Sequence, residues 1–141
     1  MEDNFICLDT NIWVKLFALE DGSAKVASLF EGWKNEEVTY IASSFLIFEL
    51  SSVLRKKEKL RQTHPGHALE SLKLLYEYHL LLYQSEDLLK KTIKLAEKMD
   101  ETVTYDVSFL ALAQFKKAPF YTSDLKFFNK AHKLYSDIHL I

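Results

Sequence analysis

The chain has 141 residues, of which 48% are hydrophobic and 27% charged. This composition supports a folded core and excludes disordered, collagen-like and low-complexity chains. The formal net charge is −2, from 18 basic and 20 acidic residues, which excludes nucleic-acid binding by bulk positive charge but leaves room for local basic patches. We expect a single domain over residues 1–141.

The cysteine content and the N-terminus indicate where the protein works. Cys7 is the one cysteine, so an internal disulfide and a cysteine-rich zinc module are excluded, and a reducing cytoplasm is favoured. The acidic start at residues 1–4 differs from a secretory signal. Apolar runs such as residues 45–48 are too short to cross a bilayer. We therefore expect a cytoplasmic protein with no membrane partner.

Short apolar runs alternate with segments of helical spacing, which is typical of an α/β fold with a mostly parallel sheet. In chain order, the predicted elements are strand 5–8, helix 12–19, a helix from Ser23, strand 38–42, a helix ending near residue 59, helix 67–78, strand 80–83, a helix ending near residue 99, a helix after Thr104, strand 120–122, a helix ending near residue 134, and strand 138–141. The run 80–83 is continuous and apolar, so it is predicted as a buried strand. Ser43 or Ser44, Ser85 and Thr104 are candidate N-caps.

Three aspartates fall at the ends of predicted strands or the starts of predicted helices. Asp9 ends the first strand, Asp124 follows the fourth, and Asp106 comes shortly after Thr104. Because open parallel sheets bind ligands at the carboxyl ends of their strands, these aspartates are candidate functional residues. The alternative is that each is only a helix cap, since aspartate there accepts backbone N–H bonds.

Glu49 lies in the middle of a predicted helix, surrounded by apolar residues. Helical spacing places it close to the face that carries Phe45, Leu46 and Val53. A carboxylate on an apolar face costs several kcal/mol unless it is paired or bound to a metal. The alternative is that Glu49 lies at the margin of this face or pairs with a basic residue.

The four acids predict a metal site if they converge. Carboxylates in close contact raise one another's pKa values and oppose folding, and a divalent cation relieves this repulsion. A site made of oxygen ligands favours Mg²⁺ or Mn²⁺ over zinc. Asn11 and Thr122 stand beside Asp9 and Asp124 in the sequence, where they could orient a carboxylate or a water.

Four short segments carry these acids in a characteristic order. They are Cys7-Leu8-Asp9-Thr10-Asn11-Ile12, Phe48-Glu49-Leu50, Tyr105-Asp106-Val107-Ser108-Phe109-Leu110-Ala111-Leu112-Ala113 and Thr122-Ser123-Asp124-Leu125-Lys126-Phe127-Phe128. With them the chain resembles the PIN-domain ribonucleases, especially the VapC-type toxins of prokaryotic toxin–antitoxin pairs. The resemblance covers nearly the whole chain, although residues 55–83 match nothing specific in the family.

The resemblance implies a three-layer α/β/α sandwich and a metal-dependent endoribonuclease that hydrolyses RNA with Mg²⁺ or Mn²⁺. It implies that all four acids are catalytic metal ligands and that their two polar neighbours support them. Our hypothesis is that Asp9 and Asp106 hold the principal ion, while Glu49 and Asp124 complete the site directly or through water. Such toxins commonly form homodimers and are inhibited by an antitoxin, so we expect a homodimer and an antitoxin partner in addition to the RNA substrate. The alternative is a non-catalytic PIN-like protein that binds RNA or acts as a scaffold.

The helix of Glu49 ends in a basic run at residues 55–61. Its candidate RNA-binding residues are Arg55, Lys56, Lys57 and Lys59, which could contact phosphates beside the acidic pocket. The alternative is a solvated helix end, because cations interact favourably with the negative end of the helix dipole.

Overall fold

A five-stranded parallel sheet forms the centre of the computed structural model, which describes residues 3–141. The first two residues of the acidic start lie outside this described part. The strands are β1 (Phe5–Leu8), β2 (Thr39–Ser43), β3 (Leu80–Tyr83), β4 (Phe120–Thr122) and β5 (Ile138–Leu140). Their order across the sheet is β3-β2-β1-β4-β5, and every neighbouring pair is parallel. In the register of β1, Cys7 lies opposite Ile41 on one side and Phe120 on the other.

Seven helices within residues 3–141 connect the strands. They are α1 (Thr10–Phe17), α2 (Ser23–Trp33), α3 (Phe45–Lys59), α4 (His67–Leu75), α5 (Glu86–Met99), α6 (Tyr105–Lys116) and α7 (Leu125–Ala131). The chain crosses from β1 through β2 to β3 in one direction and returns to β4 and β5 in the other. Because such crossovers are right-handed, α1–α4 cover one face of the sheet and α5–α7 the other. The predicted three-layer α/β/α sandwich is therefore confirmed. None of the described helices has the length and apolar character required to cross a membrane.

The predicted elements are present, and the differences lie at their ends. The first helix begins at Thr10 rather than residue 12, because Asp9 accepts the Thr10 N–H at 2.8 Å and caps the helix directly after β1. β2 lies one residue later than predicted, at Thr39–Ser43. Ser44 and Thr104 occupy N-cap positions, but neither makes the capping side-chain hydrogen bond that their residue type favours.

Two helices end three residues earlier than predicted. Helix α4 ends at Leu75 instead of residue 78, and α7 ends at Ala131 instead of residue 134. Just beyond each helix, an N–H group bonds to a carbonyl three residues back: Tyr78 to Leu75 and Leu134 to Ala131. Such bonds form turns at a helix end, so the apolar spacing continues beyond the α-helix itself.

Residues 80–83 form a strand as predicted, but the prediction that this strand is buried is wrong. The strand is present as β3, but it stands at the edge of the sheet, and Leu81 and Leu82 are exposed. A continuous apolar run is typical of a central parallel strand, yet an edge strand has a neighbour on one side only. The sequence does not show which strand takes the edge.

Buried contacts fix the elements that carry the candidate site. Trp13 of α1 is fully buried and meets the rings of Phe30, Tyr40 and Tyr78 edge-on. On the other face of the sheet, α6 contacts β1 and β2, and the buried Cys7 thiol donates to a carbonyl of α6 at 3.4 Å. The ends of β1, α1 and α6 are therefore held in fixed relation to one another.

Candidate functional site

Three carboxylates from different elements meet at the carboxyl edge of the sheet. Asp9 directly follows β1, Glu49 lies in α3, and Asp106 lies in the first turn of α6. One oxygen of each lies within 4.8 Å of the others. The chain crosses in opposite directions on the two sides of β1, so Asp9 stands at the switch point where ligands bind in open α/β sheets.

The Asp9 carboxylate is almost completely buried and held on both oxygens. Its Oδ1 accepts the backbone N–H of Thr10 at 2.8 Å. Its Oδ2 accepts from the Asn11 amide at 3.1 Å and from the Thr122 hydroxyl at 2.9 Å. These three hydrogen bonds fix the orientation of the Asp9 carboxylate relative to Glu49 and Asp106.

Asn11 and Thr122 tie this arrangement to the segment after β4. The side-chain Oδ1 of Asn11 accepts a hydrogen bond from the Ser123 N–H at 3.0 Å, and the Thr122 hydroxyl accepts one from the Asp124 N–H at 3.1 Å. Both side chains therefore bridge the end of β1 and the end of β4. The structure places them next to Asp9, in the position where supporting residues orient a metal ligand.

Asp124 occupies a different position from the other three acids. It is the N-cap of α7, and its Oδ1 accepts the Phe127 N–H at 3.0 Å. It lies outside the group of three converging carboxylates, but it lines the same cavity and is close enough to Asp106 to repel its charge. Asp124 therefore caps α7 and also lines the acidic cavity.

A cavity of about 350 Å³ opens over the carboxylates. Its lining residues come from α1, α3, α6 and three connecting segments: Asp9, Thr10, Asn11, Val14, Glu20, Glu49, Val53, Lys57, Asp106 and Asp124. A larger groove of about 800 Å³ lies between α2 and the start of β2, and none of the four candidate acids lines it. Since chemistry rather than volume identifies a site, the smaller cavity is the candidate.

Burial and mutual repulsion make these acids hard to ionise. Burial raises the pKa of Asp9 to about 7, the charge of Asp106 adds to this rise, and the hydrogen bond from Thr122 opposes it. Burial also raises the pKa of Glu49, with a further contribution from Asp106. Although much of the Asp106 residue is exposed, partial desolvation of its carboxylate at the cavity raises its pKa, and the charge of Asp124 adds to this rise. A cation bound among these carboxylates would favour their ionised forms and offset their mutual repulsion.

The donor set fits a hard divalent cation. Three carboxylate oxygens converge, and the Thr10 hydroxyl, which lines the same cavity, is buried with no hydrogen-bond partner among residues 3–141. This hydroxyl lies near Glu49 and lowers its pKa, but the geometry between them falls short of a hydrogen bond. An unpaired buried hydroxyl costs about 1–3 kcal/mol, so a ligand in the cavity would satisfy it. Oxygen donors of this kind suit Mg²⁺ or Mn²⁺.

The structure divides the basic run of α3. Lys57 lines the cavity, whereas Arg55 is largely exposed and pairs with Glu58 at 3.3 Å. Lys56 and Lys59 are exposed in the last turn of α3. The sequence places all four cations close together, but the helix directs one of them to the acids.

The sequence reasoning did not single out two residues of this site, Thr10 and Glu20. Thr10 supplies the unpaired hydroxyl, and Glu20 accepts hydrogen bonds from Lys15 at 3.0 Å and Lys57 at 2.8 Å. The positions 49, 53 and 57 share a helical face, which is a signal that could have singled out Lys57. Glu20 follows α1 in a connecting segment, where an acidic residue has no distinguishing pattern.

Comparison with known proteins decides the family. The chain matches the PIN domain model over residues 6–133. It belongs to the PIN-domain family. No match was found among curated proteins.

The fold of this PIN domain is shared with solved structures. One is VapBC2 from Rickettsia felis bound to a DNA fragment from its promoter, with a TM-score of 0.65, 18% identity and 97% of each chain covered. A toxin–antitoxin complex from Klebsiella pneumoniae has a TM-score of 0.64 and 18% identity, covering 96% of this chain and 99% of that one. PAE2754 from Pyrobaculum aerophilum has a TM-score of 0.65 and 18% identity, and the match covers 92% of this chain and 81% of that one. At this identity the likeness establishes the fold.

The Thr122 hydroxyl provides a test of the support around Asp9. We expect Thr122→Val, which keeps the shape and removes the hydroxyl, to lower the free energy of unfolding by about 1–3 kcal/mol, because the Asp124 N–H and Asp9 each lose a partner. Affinity for Mn²⁺ should fall by roughly 10- to 100-fold, as is typical when a partner of a metal ligand is removed. Calorimetric titration measures this affinity, and Thr122→Ser is the matched control. Equal Mn²⁺ affinity in wild type and Thr122→Val would contradict the assigned role.

Proposed function

We propose that this PIN domain is a metal-dependent endoribonuclease and the toxin of a VapBC-type toxin–antitoxin pair. The observation that carries the proposal is the convergence of Asp9, Glu49 and Asp106 from three separate elements at the carboxyl edge of the sheet. Helix capping explains Asp9 locally, but it does not explain why a half-buried glutamate from α3 and an aspartate from α6 meet it. Neighbouring carboxylates repel one another, and a bound cation would offset this repulsion.

The residues of the chain would act by holding and aligning the reacting groups. Asp9 is immobilised by Thr10, Asn11 and Thr122, so its position does not change when the substrate arrives. Glu49 is half-buried and Asp106 exposed, so both are accessible from the cavity. When bound, Mg²⁺ or Mn²⁺ supplies a water of lowered pKa and neutralises charge on the phosphate. We assign Asp9, Glu49 and Asp106 as its ligands and Asp124 as an additional acid at the edge of the cavity.

The proposed partners follow from the structural neighbours and the surface. VapBC2 from Rickettsia felis and the Klebsiella pneumoniae complex are toxin–antitoxin proteins by name, which supports an antitoxin partner for this chain. Large apolar side chains are exposed on α3 and α4, among them Phe48 and Leu69, and exposed apolar surface favours protein–protein contact. We propose a cytoplasmic homodimer that an antitoxin holds inactive and that acts on RNA when released.

Cleavage of cellular RNA by the purified protein tests this function. We expect Mg²⁺- or Mn²⁺-dependent cleavage that EDTA suppresses and an excess of the metal restores. Mapped cleavage sites should disappear in Asp106→Asn. RNA binding without cleavage in either metal would instead favour the non-catalytic alternative, and cleavage that EDTA does not affect would contradict the proposed metal site. A short DNA-binding protein encoded next to this one would support the toxin assignment.

A further inference from the structure

Glu20 and Lys57, which line the cavity, form a network with Lys15, and the proposed chemistry uses none of the three. Glu20 accepts from Lys57 of α3 at 2.8 Å and from Lys15 of α1 at 3.0 Å, one lysine on each carboxylate oxygen. The side chains are 27%, 17% and 16% exposed for Glu20, Lys57 and Lys15, so all three are mostly buried. With two cations and one anion, the network has a net charge of +1 at neutral pH.

The connection between α1 and α2 is shaped to hold Glu20. The Glu20 N–H donates to the Ser23 hydroxyl at 3.0 Å, and that hydroxyl donates to the Ala18 carbonyl at 3.1 Å. Gly22 adopts a φ of +90°, and a Cβ there would lie only 3.2 Å from the Lys15 side chain. Glycine therefore permits both the turn and the close passage of Lys15. Glu20 is thus fixed by its own turn and not only by its lysine partners.

Helix geometry relates Lys57 to the candidate metal ligands. Glu49, Val53 and Lys57 are spaced by four residues and line the same cavity. At a rise of about 1.5 Å per residue, the backbones of Glu49 and Lys57 are about 12 Å apart along α3. Lys57 therefore lines the cleft about two helical turns from Glu49, where it could contact a phosphate next to one bound at the carboxylates.

Charge shows why such a residue is needed. Of the described residues that line the cleft, Lys57 is the one cation, whereas five are acids: Asp9, Glu20, Glu49, Asp106 and Asp124. A polyanion entering this cleft would be repelled by these carboxylates and attracted by Lys57 and by a bound metal. Lysine contacts to phosphate supply affinity and position a nucleic-acid strand without reading its sequence.

We propose that Lys57 binds a backbone phosphate of the RNA that flanks the scissile phosphate, and that Glu20, bridged to Lys15, is the positioning residue that holds the Lys57 ammonium in the cleft. This inference rests on the proposed ribonuclease function and extends it to how the RNA strand is positioned in the cleft. The exposed Arg55, Lys56 and Lys59 then add only general attraction.

Steady-state cleavage of a fluorescent single-stranded RNA oligonucleotide, measured over a range of salt concentrations, tests this proposal. In Lys57→Gln, KM should rise about 10- to 100-fold, as for loss of a charge-assisted contact, with kcat nearly unchanged. The slope of log KM against log salt should fall by about 0.7, the value for one phosphate on a single strand. Lys57→Arg should restore most of the affinity. Lys56→Gln, which removes an exposed neighbouring charge, is the comparison variant, and its increase in KM should be much smaller than that of Lys57→Gln. Thermal unfolding of each variant shows that it is folded.

The role of Glu20 is tested by combining Glu20→Gln with Lys57→Gln. If Glu20 positions Lys57, the effect of Lys57→Gln on KM should be smaller in the Glu20→Gln background, and the two changes should not be additive. Additive effects would remove Glu20 from the proposal.

The outcomes separate this inference from the ribonuclease function. If the wild type cleaves RNA in a metal-dependent manner but Lys57→Gln has an unchanged salt slope, or the same KM shift as Lys56→Gln, the assignment of Lys57 is wrong and the function stands. If the wild type neither binds nor cleaves RNA, both fail together.

Discussion

Replacing Asp106 or Glu49 with its amide should abolish RNA cleavage while the protein remains folded. Removing a supporting partner of a metal ligand typically costs roughly 10- to 100-fold, so losing a ligand of the proposed metal should cost more than this. Asp106 is exposed and Glu49 half-buried, and the amides preserve their size, so the fold should tolerate both changes. Asp9→Asn should also be inactive, although its amide nitrogen would face one of the donors that now bond to the carboxylate.

Asp124→Asn is the matched control for these three variants. Asparagine caps helices as well as aspartate does, so α7 should be unaffected. Because Asp124 lies outside the converging group, its replacement should reduce the cleavage rate less than replacement of Asp9, Glu49 or Asp106. Initial rates with a common RNA substrate and metal measure this order. Wild-type activity in Asp106→Asn would remove Asp106 from the site, and equal losses in all four variants would place Asp124 among the ligands.

The metal-free protein should lose stability as the pH rises. The pKa of Asp9 is about 7 in the folded protein, against an ordinary value of 3.8, because burial and the nearby Asp106 disfavour its charge. Between these two values the folded state binds more protons than the unfolded state, so the contribution of Asp9 is fully present below about pH 4 and lost as the pH rises through 7. A shift of this size corresponds to at most roughly 4 kcal/mol. The raised pKa values of Glu49 and Asp106 act in the same direction.

Urea unfolding in EDTA at pH 5 and pH 8 measures this effect, with the lower free energy of unfolding expected at pH 8. Adding Mn²⁺ or Mg²⁺ at pH 8 should restore stability, by about 2.7 kcal/mol at a concentration one hundred times Kd. In Asp106→Asn the pH dependence should move to lower pH, since the charge of Asp106 is the second cause of the Asp9 shift. A free energy of unfolding that is equal at both pH values, or insensitive to metal, would contradict the acidic cluster as described.

Local sequence patterns predicted the elements well because each depends on neighbouring residues. Asp9 and Asp124 were recognised both as caps and as candidate acids, and the structure shows that each does cap a helix. The burial of β3 was predicted wrongly, since its apolar run reports strand propensity but not the number of neighbouring strands. The ends of α4 and α7 were missed because turns continue the apolar spacing of the helices.

The sequence by itself determined the alternation of strands and helices, the mostly parallel sheet and the positions of Asp9, Asp106 and Asp124 at strand ends or helix starts, because element patterns and helix-start chemistry are local properties. Only the tertiary structure decided which three carboxylates converge, that Asp124 stands apart from them, and that Lys57 faces the cleft while its basic neighbours do not. It also revealed Glu20 and the unpaired Thr10 hydroxyl. Apart from the four-residue spacing that puts Lys57 on the helix face of Glu49, these features depend on distances between residues far apart in the chain, which the packing of α1, α3 and α6 against the sheet sets.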